Sequence, residues 1–109
     1  MARPYLVVRA NIEPGVMDDF HRWYEEVHLP HVMAIPGIVR AYRSNCHRSG
    51  INWTAVYELT NNASIQPAFA SAEASQARQD WERWLSHVSD LTVELYAVLG
   101  PLPTYQHGN

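Results

Sequence analysis

Three strand-forming stretches of this chain are apolar on both faces, and this constrains its fold more than any other feature. Within Tyr5 to Ile12, the residues Leu6, Val8, Ala10 and Ile12 alternate to one side, while Tyr5 and Val7 fall on the other. Ile51, Trp53, Ala55, Tyr57 and Leu59 likewise oppose Val56, and Leu91, Val93, Leu95, Ala97 and Leu99 oppose Tyr96 and Val98. A half-solvated strand separates a dry face from a wet one, so strands of this kind need cover on both sides. Two helical stretches can cover one sheet face only. The other face is expected to meet a second sheet, which implies a homodimer.

The remaining elements follow from local signals. Glu13-Pro14-Gly15 stops the first strand, and a helix fits Val16 to about Leu29, with Met17, Phe20, Tyr24, Val27 and His31 on one face. Asp18 and Asp19 sit in its first turn, where carboxylates suit the positive end of the dipole. Pro36-Gly37 makes a turn into a strand from Ile38 to His47, and Ser49-Gly50 connects that strand to a second, Ile51 to Thr60, as a hairpin. Pro67 is tolerable only in a first helical turn, which makes Ser64 the expected cap. A longer helix is expected from about Ala74 to Val88, with Ala74, Ala77, Arg78, Trp81, Trp84, Leu85 and Val88 on one face, ended by Ser89-Asp90. Leu91 to Leu99 is the last strand, closed by Gly100-Pro101-Leu102-Pro103. The order βαββαβ predicts an α+β, ferredoxin-like domain with a four-stranded antiparallel sheet, spanning residues 1–109 with an ordered core of about 3–103.

Composition narrows the function classes. The chain is 47% hydrophobic and holds four Trp, too much apolar surface to stay unfolded. All eight basic residues are Arg and the net charge is -3, with no basic block to track a phosphate backbone, so no nucleic-acid partner is expected. The absence of Lys excludes a Schiff-base mechanism. Cys46 stands alone and lacks an activating base, so it is expected to be inert. The start of the chain is too short in apolar residues for a signal peptide and no stretch is long enough for a membrane span, so a cytoplasmic protein without a membrane partner is expected. The scattered glycines form no phosphate-cradling loop, which argues against a nucleotide cofactor.

Chemistry concentrates in Phe20-His21-Arg22-Trp23-Tyr24-Glu25-Glu26-Val27-His28-Leu29-Pro30-His31. His28 and His31 are three apart on a helical surface, at a point where Pro30 denies the backbone a hydrogen bond. An imidazole beside an apolar cavity moves protons near neutral pH, whereas a histidine at a helix end can equally serve to cap its carbonyls. Glu25, His28 and His31 could be read as a carboxylate and imidazole ligand set, but they span about 600 degrees of helical rotation and match no helical metal motif with a Pro inside, so no metal is expected.

The spacing Phe20-x-x-Trp23-Tyr24-x-x-x-His28-x-Pro30, then Pro36-Gly37-Ile38 and Tyr42, resembles the EthD-type branch of the dimeric alpha+beta barrel superfamily. Phe69-Ala70-Ser71-Ala72-Glu73 followed by Trp81 resembles the second-helix segment of that branch. The resemblance implies a barrel of two four-stranded sheets with a small-molecule cavity in each protomer between sheet and helices. Relatives include cofactor-free monooxygenases, polyketide cyclases, muconolactone isomerases, haem-degrading enzymes and chlorite dismutases. His28 corresponds to the family's His in the His-x-Pro element; His31 has no such counterpart.

The leading expectation is therefore a small enzyme, without a bound cofactor, that acts on a hydrophobic aromatic or polyketide-like carbonyl compound. His28 would be the general acid or base, with Tyr24 and Tyr42 orienting substrate or enolate and Trp81 and Trp84 forming an apolar wall, although tryptophans at helical spacing usually pack a core. His31, Asn11 and Arg9 are further candidates for substrate contact. Arg9, Arg40 and Arg43 lie in strands and would otherwise pair with Glu58 or Glu94. One alternative is a non-catalytic protein that carries a small apolar molecule. Another is haem binding or degradation, which the resemblance would place at Asn11, Trp81 or Trp84, and His87.

Overall fold

The computed structural model describes residues 2–103. Strands β1 (Tyr5–Ile12), β2 (Ile38–Ser44), β3 (Trp53–Leu59) and β4 (Val88–Tyr96) form one sheet in the order β2-β3-β1-β4, antiparallel throughout. The register sets Leu6 opposite Tyr57 and Leu95, Val8 opposite Ala55 and Val93, and Ala10 opposite Trp53. These residues therefore share one face, and the helices pack on it. Val7, Val56 and Tyr42 share the other face with Tyr5 and Tyr96, and no element of the described chain covers it. No helix among the described residues is long and apolar enough to cross a membrane.

The first helical region runs on from the expected start, but it is not uniform. It comprises α1 (Met17–Trp23), a π turn (Tyr24–His28) and α2 (Leu29–Met33). The wide turn changes the inward face: His28 is buried, whereas Val27, expected inside, is 39% exposed. Gly37, at φ 95, closes the turn into β2, and a side chain there would crowd Ser64 at 3.0 Å.

The second helical region divides into α3 (Ile65–Ala70) and α4 (Ala72–Asp80), followed by a 3-10 stretch, Trp81–His87. The single helix expected from Ala74 to Val88 thus stops at Asp80. Side chains three apart align along a 3-10 helix, and here Trp81 and Trp84 both pack against Phe20 and Trp23. Arg78 and Leu85, expected on the buried face, are exposed. Ser64 stands at the N-cap of α3 as expected but makes no side-chain cap bond; that bond comes one turn earlier, where the Asn61 side-chain oxygen accepts from the Ser64 backbone N–H at 3.1 Å. Ser71 caps α4 through the Ala74 N–H at 3.0 Å.

Strand boundaries also shift. β2 ends at Ser44 rather than His47, and Asn52 lies outside β3 with its amide bonded both to the N–H and to the carbonyl of Ile12, each at 2.8 Å. Ser89 and Asp90 do not end a helix; they lie inside β4. Asp90 takes φ 54 where the β1–β4 register slips between Arg9 and Asn11, so a bulge absorbs the extra residue.

Candidate functional site

The π turn is where local chain chemistry builds the site. Pro30 has no N–H to donate, and the Leu29 N–H reaches back to Tyr24 O instead of continuing the α pattern. Turns of this kind insert one extra residue into a helix, and His28, which ends this one, is buried in the core.

The His28 ring is 4% exposed, stacked on Trp23 at 5.1 Å and edged by Trp81 at 5.5 Å. Its Nδ1 lies 3.1 Å from Asp80 Oδ2, and His31 Nδ1 lies 2.7 Å from the same oxygen. Gln76 donates to the other carboxylate oxygen at 3.2 Å. Burial acts to raise the Asp80 pKa, but the hydrogen bonds from His31, His28 and Gln76 outweigh it and hold the group below its ordinary value. An ionised carboxylate only accepts, so both imidazoles donate through Nδ1. Desolvation holds the His28 pKa below its ordinary value, against the pull of Asp80, so the ring is neutral at pH 7. Asp80 ends α4, where the helix dipole disfavours a carboxylate; the donors offset that.

A cavity of about 450 Å³ opens beside this group, between the helices and the sheet. Its walls are apolar, among them Leu6, Val8, Val32, Ile35 and Trp81, and the polar groups reaching it from within are His28 and Tyr57. The exposed Arg78 and Glu82 lie on its lining as well. Its volume lies within the range of small-molecule pockets, and like theirs its lining is mostly apolar. The Tyr57 hydroxyl lies 2.6 Å from the buried Tyr24 hydroxyl. Burial raises the pKa of both phenols, so both stay protonated at neutral pH.

Of the residues singled out from the sequence, His28 and Trp81 line the cavity. Tyr24 does not; it stands behind Tyr57 as a hydrogen-bond partner. Tyr42 is 47% exposed on the opposite sheet face, since its position in β2 pairs with Val56. Trp84 is buried against Phe20 at 5.3 Å, in the core and off the cavity lining. His31 touches Asp80 and not the cavity. Arg9 pairs with Glu94 on the uncovered sheet face. Asn11 bonds Ser89, and His87 bonds Glu13 at 2.7 Å, both at the far end of β1. Arg43 lies over the Trp53 ring at 5.4 Å. Among the described residues, no group of three or more His, Cys, Asp or Glu is arranged to hold a metal ion.

Asp80 was not read from the sequence. Asp80 lies about fifty residues beyond the histidines, and a carboxylate near a helix end carries no mark of its partners.

No protein-family model and no curated protein matches the sequence. Solved structures match its fold. An EthD (ethyl tert-butyl ether D) family protein from Bacillus halodurans superposes with a TM-score of 0.67 at 16% identity, covering 85% of this chain and 97% of that one. A dimeric ferredoxin-like protein of unknown function from a Jannaschia species gives 0.63 at 11% identity, covering 89% and 100%. The chain has their ferredoxin-like α+β fold. SnoaB, a cofactor-independent oxygenase from Streptomyces nogalater, shares it with a TM-score of 0.63 at 14% identity, covering 94% of this chain and all of that one, 100%. Fold alone does not carry an activity.

Proposed function

We propose that this protein is a cofactor-independent enzyme that moves a proton on a hydrophobic carbonyl compound, aromatic or polyketide-like, held in the cavity beside His28. The observation that carries the reading is a buried imidazole whose Nδ1 lies 3.1 Å from Asp80 while its ring lines a mostly apolar cavity; burial favours its neutral form. Nε2 is then the basic nitrogen presented to a ligand. In the reaction, Nε2 takes the proton α to the carbonyl, the electron pair moves onto the carbonyl oxygen, and the imidazolium formed is stabilised by Asp80. Tyr57 donates to the developing enolate oxygen, and Tyr24 donates to Tyr57, so both hydroxyls stay bonded. Return of the proton to another atom would give an isomerase outcome; attack of the enolate carbon on a second carbonyl of the same molecule, with the imidazolium returning its proton to the alkoxide formed, would give a cyclase outcome. This chemistry needs only a positioned base, a donor and a dry pocket.

The same reading takes the uncovered sheet face, with Val7, Val56 and Tyr42, as the contact with a second copy, consistent with the dimeric state named for the Jannaschia protein. Tyr42 then belongs to the interface and not to the substrate.

A panel of aromatic and polyketide-like carbonyl compounds, followed by liquid chromatography and mass spectrometry, tests the reading. Conversion by the parent protein and its loss in His28→Ala are expected. A compound bound tightly but returned unchanged would point to a carrier instead. A Soret band after haem addition that weakens in His28→Ala would point to a haem protein.

A further inference from the structure

Asp80 serves two histidines through a single oxygen, an arrangement that a base and its carboxylate partner do not by themselves require. The shorter contact, 2.7 Å, goes to His31, and the longer, 3.1 Å, to His28. The Asp80 and His28 side chains are 5% and 4% exposed, whereas His31 is 41% exposed. Thus the solvent-facing ring, which does not line the cavity, has the tighter hold on the carboxylate.

We propose that His31 is a positioning residue for His28: it anchors Asp80 from the solvent side and draws part of the carboxylate's charge away from His28, so that the buried ring keeps its proton on Nδ1 and an open lone pair on Nε2. The inference rests on the proton-transfer reading for its purpose, though not for its geometry. His28 and His31 are one helical turn apart, His28 ending the π turn and His31 in α2, so both reach the carboxylate that α4 presents. Gln76, one turn earlier on α4, fixes the second oxygen. With three donors on it, the carboxylate has little freedom to rotate toward His28 alone. Because both rings bond the same carboxylate oxygen, a change at the exposed ring is felt at the buried one.

The other charged or titratable groups around His28 leave His31 as the exposed member of the set. Tyr24, on its own helix, and Tyr57, on β3, stay protonated; Arg43, on β2, stands near that tyrosine pair; Arg78 and Glu82 line the cavity at its exposed side.

Nitrogen-15 NMR of the histidine rings across pH, on the full chain without ligand, tests this directly. In the parent protein His28 is expected to carry its proton on Nδ1 and to titrate below free histidine. His31→Ala is expected to raise the His28 midpoint, because Asp80 then turns fully to His28. His31→Gln, whose amide can donate to Asp80, is expected to return it toward the parent value. Asp80→Asn is expected to lower the midpoint and release the Nδ1 preference. A histidine that only ends a helix would change the melting temperature and leave the His28 signals in place. An unchanged or lowered midpoint in His31→Ala, or an Nε2-protonated His28 in the parent, would overturn the proposal. Since no substrate is involved, His28→Ala retaining turnover would end the proton-transfer reading without touching this result.

Discussion

The chemistry of His28 is set by what surrounds it, because an imidazole exposed to water would titrate near its ordinary value of 6.5. Burial between Trp23 and Trp81 favours the neutral form. A group whose neutral form the fold prefers takes up a proton more readily when unfolded, so stability falls as pH drops below about 6.5. Asp80, held low, adds a second loss as pH drops below its ordinary 3.8. Tyr24 and Tyr57, both raised, act oppositely: their contribution is present below about pH 10 and is lost as the unfolded phenols ionise above it. Urea unfolding as a function of pH should therefore show a dome, with its acid side shifted in His28→Gln. Tyr57→Phe leaves the buried Tyr24 hydroxyl without its partner and should cost about 1–3 kcal/mol by the same measurement. Under the proposed reaction, it should also slow turnover more than it weakens binding.

At the level of elements, the two helical regions are held by specific local bonds. Ser71 joins α3 to α4 by accepting from the Ala74 N–H at 3.0 Å and donating to the Ala68 carbonyl at 2.6 Å. Ser71→Ala should lower stability by about 1 kcal/mol, the usual worth of such a cap, as read by urea denaturation. The order of elements and the two-faced strands were legible in the sequence because side-chain alternation and Pro-Gly breaks report directly on strand periodicity and turns. The π turn was not. Alpha-helical spacing placed Val27 inward, whereas in the widened turn Val27 is exposed and His28 is buried. The end of α4 at Asp80 was also hidden, since Trp81 and Trp84 fit an α-helical stripe as well as the 3-10 row they adopt. The His28 part of the site was legible from Pro30 and the aromatic face. Its carboxylate was not, because a contact between residues 28 and 80 leaves no local periodicity.

For the molecule as a whole, one layer of helices leaves the other sheet face bare, and the proposed dimer follows from that imbalance. Val7 and Val56 are nearly buried by their neighbours, whereas Tyr5, Tyr42 and Tyr96 are each about two-fifths exposed or more. Val56→Asp would set a carboxylate at the centre of this face. The proposed dimer is expected to become monomeric in that variant, as seen by native mass spectrometry, whereas a parent protein that is already monomeric would remove the second sheet from the account. The central claim is narrower: a base in the cavity, His28, removes a proton α to a carbonyl. Its most direct measurement is deuterium incorporation at that carbon, followed by NMR in heavy water, for a set of apolar aromatic diketones with and without protein. The account predicts exchange accelerated by the parent protein and reduced roughly 10²–10⁴-fold in His28→Ala, the usual range for a positioned base. Exchange no faster than in buffer, or equally fast with His28→Ala, would contradict it.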